Sequence, residues 1–332
     1  MNSGAVSSFV KNVHYGDGVT YVIGHRHADA DSVFSAMAMA RLLTLAGIDA
    51  RARIASETDR ETKAVMDYLH LTPPDMLTDA SGLQLALVDH NSLSQAVKGA
   101  DKACIVGIYD HHALSEIASV DIIPVFIMPV GSTGTIIFSL YHQLGAEIDA
   151  ETAGILAAAI MSDTNNCRYQ GSTELDKYAL NELLEIAGLD RTAFNRVRLH
   201  GRIDYSGMTD HQILKNDYRR YSVAGRAVGI GYARSVGLEN HMDMLARMQE
   251  AMNAYYPTSK CDLLYIMIHD YETDRQDILC AGEGAFDAAV RAIGSADGKH
   301  ITLSPSISRK ADFIPALTKV LTEQEESSGT QV

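Results

Sequence analysis

The sequence predicts an α/β protein of two domains, the first built on a parallel sheet, and three observations carry that prediction. At 332 residues the chain is long for a single hydrophobic core. Short, nearly continuous apolar runs alternate with helical patterns through the first half, as expected for parallel strands covered on both faces. Between Leu199 and Met208 the residues Gly201, Asp204, Ser206 and Gly207 interrupt every periodicity. The junction falls there, giving a first domain of residues 1–205 and a smaller α/β domain of residues 206–332.

Taken in order, Val19 to Ile23 is a β-type run, and Val33 to Leu43 is a helix rich in alanine and unbranched apolar residues, with Ser32 as the expected N-cap. Ala52 to Ala55 is a short strand, and the helix from Glu61 to Leu69 is broken by Thr72-Pro73-Pro74. Two further apolar strands, Leu83 to Val88 and Ala103 to Tyr109, run out into Asp89-His90-Asn91 and Asp110-His111-His112. A strand from Asp121 to Met128 leads through Pro129–Thr135 into a helix reaching Tyr141. Asp149 caps a helix from Glu151 to Met161 that is apolar almost all round, hence buried, and that delivers Ser162-Asp163-Thr164 at its end. Glu174 to Ala187 is amphipathic and stops at Gly188.

The second domain reads as strands at Arg220 to Ala224, Ala227 to Ala233, Asp262 to His269, Ile278 to Cys280 and Ile301 to Leu303. Helices are expected over Glu239 to Ala254, Phe286 to Ile293, and from Ile314 with Pro315 in the first turn. Glu323 to Val332 reads as a polar, frayed tail.

Composition narrows the function. The 28 basic and 42 acidic residues give a net charge of −14, which lacks the basic footprint of a nucleic-acid binder. No apolar run reaches transmembrane length, and Met1-Asn2-Ser3-Gly4 does not begin a signal peptide. The four cysteines are scattered, as free thiols in a reducing cytoplasm would be. A cytoplasmic protein with neither nucleic acid nor membrane as partner is expected.

His25, Asp29, Asp31, Asp89, Asp110, His111, His112 and Asp163 all fall at the ends of apolar elements. Any one of them is explained by a helix cap or a surface site. Together they lie where open α/β sheets bind ligands, and imidazole with carboxylate ligates first-row divalent ions. Their convergence at one sheet edge is what a two-metal hydrolytic site requires.

These motifs resemble the DHH phosphoesterase superfamily and, within it, the manganese-dependent family II inorganic pyrophosphatases. The resemblance rests on Gly24 to Ser32 as G-H-x-x-x-D-x-D-S, Val88 to Asn91, Asp110-His111-His112, Pro129 to Thr133, Ser162-Asp163-Thr164, and Ser308-Arg309-Lys310 followed by Pro315. The glycine-rich G-G-G-H segment of the superfamily's nucleases is absent, Gly294 to His300 being only a faint echo of it.

The resemblance implies a DHH domain followed by a DHHA2-type domain, with the active site in the cleft between them, in a homodimer. It implies two Mn2+ ions, with Co2+ or Mg2+ as substitutes, that activate a bridging water to split pyrophosphate into two orthophosphates. One ion would be held by His25, Asp29 and Asp89, the other by Asp31, Asp89, His111 and Asp163. Asp110 and His90 would support these ligands from behind, and Asp110 would orient the histidines. His112, Arg219, Arg309 and Lys310 would contact phosphate. Two departures stand out: Arg219 replaces the family's lysine in Asp217-Tyr218-Arg219-Arg220-Tyr221, with Lys215 as a second candidate, and Cys167-Arg168-Tyr169 replaces Phe-Lys-Ser. Short polyphosphate or an oligonucleotide phosphodiester is the alternative substrate, and a catalytically silent metal- or nucleotide-binding regulator is the alternative class.

Overall fold

The structure is a computed structural model that describes residues 18–117, 119, 121–294 and 300–329. The amino-terminal stretch, Ser295 to Lys299 within the glycine-rich echo, and the last three residues of the tail lie outside the described residues. The chain divides into two compact units, one ending at Arg202 and the other beginning at Ile203.

The first unit holds a five-stranded sheet of β1 (Thr20–Ile23), β2 (Ala50–Arg53), β3 (Gln84–Val88), β4 (Cys104–Asp110) and β5 (Val125–Ile127), in the order β2-β1-β3-β4-β5. Every pairing is parallel. The order reverses between β1 and β3, so the crevice beyond their carboxyl ends is the topological switch point of the sheet.

The helices are α1 (Ala30–Leu45), α2 (Arg60–Tyr68), α3 (Thr133–Leu144), α4 (Ala150–Asp163), α5 (Glu174–Ala187) and α6 (Arg191–Arg202). α1 and α4 are apolar nearly all round because both run through the core, and Val22, Ala86, Val88 and Val106 pack against that helical layer. The opposite face of the sheet is covered differently from expectation. Ile23, Leu85, Leu87 and Ile108 pack under Ala80, before β3, and under Ala96, Val97 and Ala100, in a succession of turns after it that ends in one helical turn (Ala100–Lys102).

Three local expectations change. Asp29, not Ser32, caps α1, its carboxylate accepting from the Ser32 amide at 3.1 Å. Both residues favour caps, and the backbone turns helical at Ala30. The strand expected from Asp121 shrinks to β5, and α6, a helix not expected from the sequence, ends just inside the stretch from Leu199 where the periodicity lapses.

The second unit carries β6 (Arg219–Val223), β7 (Arg226–Ser235), β8 (Leu263–Asp270), β9 (Arg275–Ala281) and β10 (Ile301–Leu303), in the order β10-β9-β8-β7-β6. Only β7 and β8 are parallel. α7 (Asp210–Asn216) and α8 (Leu238–Tyr255) cover one face through Ile213, Leu214, Met244 and Met248. α9 (Ala285–Ile293) and α10 (Ile314–Gly329) cover the other through Ala288, Ala289, Leu317 and Leu321. The segment read as a frayed tail is thus helical up to Gly329.

Candidate metal centre

The switch point of the first sheet gathers the six residues expected to ligate metal. β1 hands over to Gly24 and His25, β3 ends one residue before Asp89, β4 ends at Asp110 before His111, and α4 ends on Asp163. Gly24 is required by close approach, since a Cβ there would lie 2.0 Å from Ser32 Oγ and 2.8 Å from the Ser32 carbonyl oxygen. Asp89 adopts a left-handed φ of +60°, uncommon for a residue with a side chain and a mark of functional constraint.

The geometry gives two groups that share one carboxylate, and a third set of Asp89, His111 and His112 overlaps the second. His25 Nε2 lies 3.3 Å from Asp29 Oδ2 and 3.4 Å from Asp89 Oδ2. His111 Nε2 lies 3.3 Å from Asp89 Oδ1, 3.5 Å from Asp163 Oδ2 and 3.8 Å from Asp31 Oδ2. Within each of the sets His25, Asp29, Asp89 and Asp31, Asp89, His111, Asp163, one donor atom per residue falls within 4.8 Å of all the others. Asp89 therefore turns one oxygen toward each set.

Surrounding groups fix these side chains. Asp31 is fully buried and its carboxylate accepts from Ser35 Oγ at 2.9 Å, Ser132 Oγ at 2.9 Å, Thr133 N at 2.7 Å and Gly134 N at 3.1 Å. The last two amides form the amino end of α3, where a carboxylate is favoured. Thr133 Oγ1 donates to Asp89 Oδ1 at 3.1 Å. The His111 Nδ1–H donates to the Val130 carbonyl at 3.1 Å, which directs Nε2 at the carboxylates. Asp110 holds His112 instead, accepting from its backbone N at 3.0 Å and its Nδ1 at 2.9 Å. His90 is buried beside His25, its Nδ1 2.9 Å from the Val88 carbonyl.

The electrostatics describe a site short of positive charge. Burial pushes Asp31 well above the ordinary carboxylate range, with the charges of Asp89 and Asp163 adding to the effect, and Asp163 rises for the same reasons. Burial pulls His25 and His111 down, yet the carboxylates beside them win. His25 rises to about 10 through Asp29 and Asp89, and His111 to about 12 through Asp163 and Asp89. Burial raises Asp89 but the two imidazoles outweigh it, holding the carboxyl below its usual value. His111 Nε2 is buried with no properly aligned hydrogen-bond partner. An imidazole nitrogen aimed into the carboxylates of Asp31, Asp89 and Asp163 fits the seat of a divalent cation, which would neutralise the cluster and satisfy the nitrogen.

His112 is half-exposed at the rim, 3.8 Å from Asp89 Oδ1, and Asp110 raises its pKa above the ordinary histidine value. The remaining expected residues belong to the second unit. Arg309 Nη1 donates to the Asp217 carbonyl at 2.8 Å and Nη2 to Asp217 Oδ1 at 2.9 Å, while Lys310 is exposed on the same turn. Arg219 is exposed on β6. Lys215 is engaged elsewhere, with Nζ 2.9 Å from the Tyr255 hydroxyl and over the Tyr218 ring.

Comparison with known proteins follows the same division. Residues 19–160 match the DHH family, N-terminal domain, and residues 200–320 match the DHHA2 domain. A manganese-dependent inorganic pyrophosphatase of Methanothrix thermoacetophila is 34% identical over 308 residues, covering 90% of this chain and 96% of that protein. The chain belongs to the manganese-dependent inorganic pyrophosphatase family. A probable manganese-dependent inorganic pyrophosphatase of Archaeoglobus fulgidus is 32% identical over 319 residues, covering 92% of this chain and 99% of that protein. Among solved structures, a Methanococcus jannaschii protein described as a family II inorganic pyrophosphatase aligns with TM-score 0.55 and 26% identity, covering 91% of this chain and 99% of that one. An exopolyphosphatase-related protein of Bacteroides fragilis shares the fold at TM-score 0.52 and 14% identity.

Sequence reasoning missed the hydroxyls that hold the ligands. Ser35 stands one helical turn after Asp31, a spacing that could have revealed it. Ser132 and Thr133 lay inside a quoted motif, but nothing local ties them to residues about a hundred positions away.

Proposed function

We propose that the chain hydrolyses pyrophosphate to two orthophosphates with two Mn2+ ions that share Asp89. The observation that carries this reading is the division of the Asp89 oxygens between a group of His25 and Asp29 and a group of Asp31, His111 and Asp163. When bound, the ions supply Lewis-acid activation of water and neutralise phosphate charge. Co2+ and Mg2+ are the expected substitutes.

The protein's own part is positioning. Asp31 and Asp89 are held rigid by α3 and Thr133, so the site is organised before substrate arrives. Asp110 holds the His112 imidazole through Nδ1 and favours its charged form, leaving Nε2 to donate to a phosphate oxygen. Arg219, Arg309 and Lys310 are proposed as the further phosphate contacts. A guanidinium in place of lysine at Arg219 would substitute a planar fork for a point charge. In this reading residues 1–205 form the catalytic metal-binding domain and residues 206–332 the substrate-binding domain.

A cytoplasmic homodimer is proposed with it. Support comes from edge strand β5, where Val125 is 49% exposed with Ile122 beside it 93% exposed, and from four cysteines without disulfides. No helix among the described residues is long and apolar enough to cross a membrane.

A phosphate-release assay on pyrophosphate with Mn2+, Co2+ and Mg2+ tests the activity. Turnover with Mn2+ that Asp89→Ala abolishes supports the reading. No turnover above that control with any of the three ions rejects it.

A further inference from the structure

Asp31 and Asp163 are placed by opposite means. Asp31 is gripped on its own carboxylate by four donors, whereas Asp163 has His111 Nε2, at 3.5 Å, as its one cationic neighbour in the centre. The position of Asp163 must come from its backbone, and the backbone there is unusual. Asn165, Asn166 and Cys167 all take left-handed φ values, of 47°, 58° and 60°. Such a run of residues with side chains persists only where surrounding structure holds it.

A buried ion pair does the holding. Glu61 on α2 and Arg198 on α6 are 5% and 1% exposed, with Arg198 Nη1 2.9 Å from Glu61 Oε1. On one side of Asp163, Ser162 Oγ donates to that same Glu61 oxygen at 2.8 Å. On the other side, Arg198 Nη2 donates to Asn165 Oδ1 at 3.2 Å. Arg191, at the start of α6, donates to Asn166 Oδ1 at 2.8 Å and to its carbonyl at 3.2 Å. Asn195 Oδ1 accepts from Arg198 Nε at 3.2 Å and Nη2 at 2.9 Å, so the guanidinium is anchored on its own helix. None of these side chains belongs to either ligand set.

We infer that the Glu61–Arg198 pair is a positioning device for Asp163, which clamps the end of α4 from both sides and thereby sets the affinity of one ion only, that of Asp31, Asp89, His111 and Asp163. The other ion, held by His25, Asp29 and Asp89, meets the start of α2 through backbone, Asp59 N donating to the Ala28 carbonyl at 3.3 Å, a contact that involves neither Ser162 nor Asn165. The inference rests on the two-ion reading above.

The test is Mn2+ binding by the full chain, without substrate, read by calorimetric titration and by Mn2+ electron paramagnetic resonance. Ser162→Ala cuts one strap and leaves the ion pair in place. Glu61→Gln with Arg198→Met removes both charges together, which avoids stranding a buried charge. Each is expected to weaken one of the two ions by about tenfold or more, the usual effect of losing a group that orients a ligand, and to leave the other within about twofold. Circular dichroism checks that each variant is folded. Unchanged affinities for both ions in folded Ser162→Ala overturn the inference, and so does an equal loss of both ions, which would mean general loosening. Wild type that binds two ions yet releases no phosphate rejects the proposed reaction and leaves the clamp standing, because the titration contains no substrate.

Discussion

Loading the centre with Mn2+ should expel protons, and the structure sets their number. In the metal-free chain His25 titrates at about 10 and His111 at about 12, so both imidazoles are protonated at neutral pH. His111 commits its Nδ1–H to the Val130 carbonyl, so the proton it loses to an incoming ion is the one on Nε2. His25 likewise meets the carboxylates through Nε2. Two ions therefore release about two protons per chain, since a ligand imidazole must be neutral. Between about pH 7 and 9 the product of the two binding constants should rise about a hundredfold per pH unit, which is about tenfold per ion. Calorimetry in buffers of different ionisation heat measures the proton number, and His25→Asn or His111→Asn should each remove about one proton from it. A count near zero, or an affinity flat across that range, would refute the assignment of these imidazoles as ligands.

Three other outcomes follow from the same geometry. Raised folded-state values for His25 and His111 stabilise the metal-free chain fully below the ordinary histidine value, and that contribution is lost as pH climbs toward about 10 and about 12. Thermal melts in chelator should drop as pH rises from 7 to 10, and saturating Mn2+ should flatten the trend. His112→Gln should lower kcat by roughly 10²–10³-fold, the usual loss for one positioned donor, with Mn2+ affinity unchanged in the same preparation. Gly24→Ala forces a methyl against the Ser32 side chain and carbonyl, and should cost roughly 1–3 kcal/mol in denaturant unfolding.

The residues that carry chemistry were legible because they have no place in a core. Two imidazoles and two carboxylates within Gly24 to Ser32, directly after an apolar strand, have few uses except as ligands. The parallel sheet was legible for a related reason, since Leu85 to Val88 is apolar without alternation and is buried throughout. Boundaries were harder where two residues suit the same role, as with Asp29 and Ser32 at the start of α1.

α6 went unseen because its buried positions include Asn195 and Arg198 beside Phe194 and Leu199, so no apolar stripe marks it. Its purpose depends on Glu61, 137 residues earlier, and no local pattern records that pairing. α7 is short, yet Thr209 and Gln212 form a capping box that does mark its start. The cover over the second face of the sheet lacks helical periodicity because it is built of turns, held by contacts such as Ala80 N to the Lys98 carbonyl at 2.8 Å.

The most direct measurement is Mn2+ stoichiometry in Asp89→Asn beside the wild type, read by titration and electron paramagnetic resonance. A carboxylate shared by two ions predicts two exchange-coupled ions in the wild type and the loss of both from the variant. A variant that keeps one ion at wild-type affinity would contradict the shared centre.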